Sequence, residues 1–216
     1  MEIALTDIDR KHFISFEGID YSGKTTQINL LQTHLERGGF QVYVLREPGG
    51  TVISEKIRSI LLDQKHNDMN ERAEIFLYSA ARVQLVSEKI IPLLKEGYFI
   101  IADRYVDSTT AYQGYGRGLN LNMVKQINQA ATFGLLPSIT FYLEIPPEQA
   151  QQRRIVKGAS ADRLEGAGID FYQRVFNGYK QIAKEEKKRF RIIDASQSVN
   201  TIHKQIVNLL KEHLHY

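Results

Sequence analysis

The chain runs to 216 residues, of which 43% are apolar and 25% charged, with a formal net charge of only +3. That composition suits one α/β domain with a sizeable core and leaves little room for two. No apolar run approaches the ~20 residues that span a bilayer, no cysteine offers disulfide or thiolate chemistry, and the small positive excess is not gathered into a block that would hold nucleic acid.

The absence of cysteine suits a reducing cytoplasm. Residues 1–11 carry Glu2, Asp7 and Asp9 and resemble neither a secretory signal nor an acid-poor transit peptide. They are read as an N-terminal extension to a single domain over residues 12–216.

The first predicted element is a strand over residues 13–17, followed by Gly18, Ile19, Asp20, Tyr21, Ser22, Gly23, Lys24 and Thr25. This is the G-x-x-x-x-G-K-[ST] pattern in its required context, after an apolar strand and before an amphipathic helix. The glycines let backbone N–H groups wrap a phosphate, and the helix N-terminus adds favourable potential. Lys24 is expected to reach the β- and γ-phosphates of ATP, and the Thr25 hydroxyl to ligate Mg²⁺. The helix over residues 25–37 presents Ile28, Leu31 and Leu35 on one face.

A strand over residues 42–45 leads to Arg46-Glu47-Pro48-Gly49-Gly50, which reads as a simple turn or as part of a site. Helices follow over residues 54–62 and 71–95. On the second, Tyr78 and Arg82 lie four apart and share a face, able either to pack or to stack on and hydrogen-bond a nucleobase. A strand over residues 98–102 ends in Asp103-Arg104. Asp103 stands where such proteins place a carboxylate near the metal. Arg104 stands where a water-activating ATPase commonly has a second carboxylate, and its planar fork suits a second phosphate; an ion pair among neighbours is the alternative. No guanine-reading N-K-x-D is present. The pattern favours a kinase.

Residues 108–118 are polar, aromatic and glycine-rich, and read as a ligand-lining loop. Then come a helix over residues 122–133, a strand over 139–143 and a helix over 147–157. Arg153, Lys157 and Arg163 flank a short Gly/Ala/Ser stretch, either a charged surface or a lid at about residues 151–165 that closes cationic groups over the phosphates. The chain finishes with a helix over 170–188, a strand over 190–193 and a helix over 199–214. Strand–helix alternation of this kind implies a parallel sheet with helices on both faces and ligands at the strands' carboxyl ends.

The ordered set Phe16-Glu17-Gly18-Ile19-Asp20, Gly23-Lys24-Thr25-Thr26, Arg46-Glu47-Pro48-Gly49-Gly50-Thr51, Tyr78-Ser79-Ala80-Ala81-Arg82, Asp103-Arg104-Tyr105, Ala111-Tyr112-Gln113-Gly114 and Asp162-Arg163-Leu164-Glu165 resembles the thymidylate kinase family, bacterial form. The resemblance implies a P-loop kinase fold with a five-stranded parallel sheet and a lid, transfer of the γ-phosphate of ATP to thymidine 5′-monophosphate (dTMP), and a homodimer. It places ATP on Gly18 to Thr26 and Mg²⁺ on Thr25 and Asp103. It gives the acceptor phosphate to Arg104 and Arg58, and the deoxyribose 3′-hydroxyl to Asp20. Tyr78 would stack on thymine, Arg82 would bond its O4 edge, Thr109 and Gln113 would line the base, and Tyr112 would crowd the 2′ position. Glu47 joins the acceptor set, and Lys24, Arg104, Arg153 and Arg163 are the expected catalytic cations. Tyr21 and Tyr78 depart from the family's usual residues.

Overall fold

Five short apolar runs are strands, the central three buried almost throughout and the two edge strands partly exposed. They are β1 (Phe13–Glu17), β2 (Val42–Arg46), β3 (Phe99–Asp103), β4 (Ile139–Glu144) and β5 (Phe190–Asp194), all parallel, in the order β2-β3-β1-β4-β5. The computed structural model describes residues 8–158, 163–164 and 168–214. Alternate residues go to opposite faces. Ile14, Phe16 and Ile101 enter one core with Ile28, Leu31 and Leu35. Phe13, Ile100 and Ala102 enter a second with Leu85, Val86 and Ile90.

Around the sheet lie α1 (Lys24–Arg37), α2 (Val52–Leu62), α3 (Glu71–Leu85), α4 (Ile91–Lys95), α5 (Val106–Thr109), α6 (Leu121–Thr132), α7 (Pro147–Lys157), α8 (Ile169–Glu185) and α9 (Val199–Leu214). This is the expected P-loop kinase architecture. From β1 the chain goes out to edge strand β2, returns to β3 beside β1, then crosses to β4 on the other side. A crevice opens where the order reverses, at the carboxyl ends. Register brings the site to one level: Phe16 pairs with Asp103, and Arg46 pairs with the same residue from the other side.

Two expectations are corrected. The helix expected over residues 71–95 is not uniformly α; Val86–Ile90 widen to a π turn between α3 and α4. Pro92 follows one residue later; it has no N–H, and its ring crowds the carbonyl four residues back, so a wider turn relieves the conflict. The loop expected over residues 108–118 is largely helical. Here α5 runs on into π turns over Thr110–Gly116, most of them buried. Gly116 serves contact rather than flexibility: a Cβ there would lie 2.7 Å from Phe171 of α8. Of the expected lid, residues 151–158 and 163–164 are described, while 159–162 and 165 lie outside the described residues, as do residues 1–7 of the expected N-terminal extension.

Candidate active site

β1 delivers the chain into the phosphate loop. Gly18 leaves the strand at φ 135°, Tyr21 sits at φ 63° and Gly23 at φ 99°, conformations that side chains disfavour. At Gly18 no other residue fits, because a Cβ would lie 2.6 Å from the Leu143 carbonyl oxygen. Tyr21 holds its left-handed conformation at a cost of roughly 1–2 kcal/mol, imposed by the loop around it. Thr51, Asn70 and Asn120 cap α2, α3 and α6 with their side chains, whereas no side chain caps α1. The first N–H groups of α1 are left for an anion.

Lys24 folds back over the loop, with Nζ 3.1 Å from the carbonyl oxygens of Gly18 and Ile19. Burial, and then repulsion from Arg104, lower its pKa, against the pull of Asp103, Asp20 and Glu17. Thr25 Oγ1 lies 3.5 Å from Asp103 Oδ2. A hydroxyl beside a carboxylate suits Mg²⁺ brought in with phosphates, since this ion keeps few protein ligands at nucleotide sites. Among the described residues no group of three His, Cys, Asp or Glu could hold a metal unaided.

Arg104 is the second pole. It turns out of β3 at φ 72° with its N–H on the Phe16 carbonyl, 2.9 Å away. That turn sends the guanidinium into the crevice. Nη1 donates to the Gly18 carbonyl at 2.8 Å and to Ser108 Oγ at 3.2 Å, while Nη2 donates to Asp20 Oδ1 at 2.6 Å and to Tyr112 Oη at 3.2 Å. Burial alone would raise the Asp20 pKa, but Arg104 and Lys24 outweigh it and hold the carboxyl below its usual range.

A pocket beside this pair is lined by all nine residues expected to bind the acceptor. Asp20, Tyr112 and Arg104 line it together with Arg58, Glu47 and Pro48 and with Tyr78, Arg82, Thr109 and Gln113. Arg58 donates to the Pro48 carbonyl at 2.9 Å. Arg82, only 2% exposed, is held by Glu47 Oε2 at 2.7 Å, Asn128 Oδ1 at 3.0 Å, Thr109 Oγ1 at 3.0 Å and the Tyr105 carbonyl at 3.3 Å. Most of its donors thus organise the pocket itself. Glu47 Oε1 is buried and meets no hydrogen-bond partner among the described residues. Burial raises the Glu47 pKa despite Arg82.

The lid cations divide. Arg153 lies across the phosphate loop, donating to the Tyr21 carbonyl at 3.3 Å and the Ala195 carbonyl at 2.7 Å, in a cavity lined also by Ser22, Gly23 and Gln197. Lys157 faces the phosphate cleft with Lys24, Arg46, Arg58 and Arg104. Arg163 does not join them. It is 7% exposed and bound to Glu74 at 2.6 Å and the Leu61 carbonyl at 2.6 Å. A fully buried carboxylate attracts it more strongly than an open cleft.

Glu17 escaped the sequence reading as a site residue. The last residue of β1, it is fully buried and accepts from Tyr105 N–H at 2.8 Å, Ser108 Oγ at 2.6 Å and Tyr179 Oη at 2.9 Å. Ser108 and Tyr179 in turn meet Arg104. Burial, then repulsion from Asp107, push the Glu17 pKa up to about 7. A carboxyl raised on folding contributes stability that is full below its unfolded value of ~4.3 and is lost as pH rises toward the folded value. Urea unfolding of wild type should therefore lose stability between about pH 4.3 and pH 7 relative to Glu17→Gln. Parallel pH profiles for the two proteins would remove that role from Glu17.

The chain is similar to known proteins along nearly its whole length. The family model for thymidylate kinase matches residues 16–206. A thymidylate kinase of Caldanaerobacter subterraneus is 49% identical over 205 residues, spanning 95% of this chain and 97% of that one. One from a Thermoanaerobacter species is 48% identical over 202 residues, spanning 94% and 98%. One from Chlorobaculum parvum is 46% identical over 206 residues, spanning 92% and 94%.

Proposed function

The chain belongs to the thymidylate kinase family, a nucleoside monophosphate kinase that phosphorylates dTMP, and on that premise we propose that its cleft passes the γ-phosphate of ATP in line to the dTMP phosphate without a covalent enzyme intermediate. The observation that carries this is Arg104, whose guanidinium stands between the phosphate loop at Gly18 and the acceptor pocket at Asp20. Catalysis then consists of positioning and charge neutralisation.

The N–H groups at the start of α1, with Lys24, hold the transferring end of ATP; Gly18 to Thr26 wrap its phosphates. Thr25 and Asp103 would hold Mg²⁺, which would neutralise phosphate charge further. Arg104 and Arg58 orient the acceptor phosphate. Asp20 meets the 3′-hydroxyl, Tyr112 leaves no room for a 2′-hydroxyl, and Glu47 lines the same pocket. Tyr78 stacks on the base while Arg82, Thr109 and Gln113 read its edge. Arg153 serves the donor nucleotide, and Lys157 supplies the cationic duty expected of Arg163.

An ADP-coupled assay over dTMP, dUMP, UMP and thymidine tests the assignment. Phosphorylation of dTMP above the others is expected; ATP binding without turnover of any monophosphate would refute it. No helix among the described residues is long and apolar enough to cross a membrane.

The homodimer is part of the same proposal. Ile53 and Ile60 of α2 and Phe76 and Val83 of α3 are exposed, Phe76 at 58%, on two helices packed side by side. Exposed apolar residues on two neighbouring helices suit a second copy of the chain. Phe76→Glu should convert a dimer to a monomer in light scattering; an unchanged mass would exclude this face.

A further inference from the structure

The Gln113 amide has a fixed polarity, and its cause lies outside the acceptor pocket. Gln113 is 2% exposed, and its Nε2 donates to Glu74 Oε1 at 2.9 Å. An ionised carboxylate only accepts hydrogen bonds, so the nitrogen end of the amide must face it. The end left for the pocket is Oε1.

Glu74 is itself held still. Its side chain on α3 is fully buried, and Arg117 reaches it with Nε at 3.2 Å and Nη2 at 3.1 Å, while Arg163 Nη2 lies at 2.6 Å. Burial alone would raise its pKa, but Arg117, Gln113 and Arg163 outweigh that and keep the carboxyl below its usual range. It stays ionised at neutral pH.

Resting on the dTMP reading above, we propose that Glu74 is a specificity-determining positioning residue: it locks the Gln113 amide with its carbonyl oxygen toward the acceptor base. Thymine and uracil carry a hydrogen on N3 and give that oxygen a donor. Cytosine has a lone pair on N3 and meets it with repulsion. The pocket thereby selects pyrimidines with an N3–H, and the selection originates at a carboxylate that never touches the nucleotide.

Glu74→Gln supplies the test, because its own amide must satisfy Arg117 and Arg163 with one oxygen and offers Gln113 a donor instead. The Gln113 amide then turns over. With dTMP and dCMP as substrates, the preference for dTMP should fall at least about tenfold while the KM for ATP stays within about twofold. Equal losses on both nucleotides would show a merely structural role and overturn the proposal. Gln113→Met should lose the same preference, and adding Glu74→Gln to it should change the preference no further; a retained preference or a further loss would each count against the idea. Should Glu74→Gln fail to fold, Gln113→Met alone decides. A wild-type protein inactive on dTMP would refute the substrate reading instead.

Discussion

Lys24→Ala should lower kcat by on the order of 10³ at saturating dTMP and ATP, with little change in thermal midpoint. Among the described residues the buried ammonium donates to the loop carbonyls of Gly18 and Ile19, and the pull of Asp103, Asp20 and Glu17 is opposed by burial and by Arg104. Removing it costs the fold little and relieves that repulsion. What is lost is positive charge where the transferring phosphoryl is most negative. Steady-state rates across a range of acceptor concentrations are the check. Near-normal turnover would mean that the loop does not hold the transferring phosphate.

Arg104→Ala should raise the KM for dTMP and depress kcat/KM by at least ~10²-fold, since charge-assisted bidentate contacts to phosphate are strong and oriented. ATP affinity should change far less, although one donor to the Gly18 carbonyl disappears. Asp20 would lose its principal cationic partner and keep Lys24. Its pKa should rise, adding a pH dependence to acceptor binding that wild type lacks. Arg104→Lys should recover part of the loss, having charge without the fork. Calorimetry separates the sites: a collapse in ATP affinity with acceptor affinity intact would assign Arg104 to the wrong substrate.

Much of this was legible from residues alone, for definite reasons. The phosphate loop is a local motif; its spacing is fixed by backbone geometry, and strand and helix must flank it. Strand–helix alternation told the sheet type, and the expected strands agree to within one residue at each end, β2 reaching Arg46 and β3 running from Phe99 to Asp103. Tyr78 and Arg82 share a helix face by periodicity, and the structure lines one pocket with both.

The failures share a different cause. Arg163 reads as a cleft cation because nothing near it in sequence reveals Glu74, 89 residues away. Residues 108–118 read as loop because their glycines look like flexibility, whereas Gly116 exists for the approach of α8. Glu17 is one acidic residue at a strand end, unremarked until Ser108 and Tyr179 arrive from distant helices. The Lys125–Glu185 and Arg189–Asp107 pairs equally join elements that only the fold makes neighbours.

The Asp20–Arg104 pair also bears on how the cleft treats other anions. Along the phosphate cleft the cations Lys24, Arg46, Arg58, Arg104 and Lys157 stand among Asp20, Glu47 and Asp103, so the protein already carries much of its own counter-charge. Inorganic phosphate or sulfate would have to break that internal pairing with nothing to offer the released carboxylate. A nucleotide brings a hydroxyl along with its phosphate, and can re-partner both groups at once. The Arg104 pole should therefore discriminate against simple anions, whereas the N–H groups at the start of α1 remain open to them.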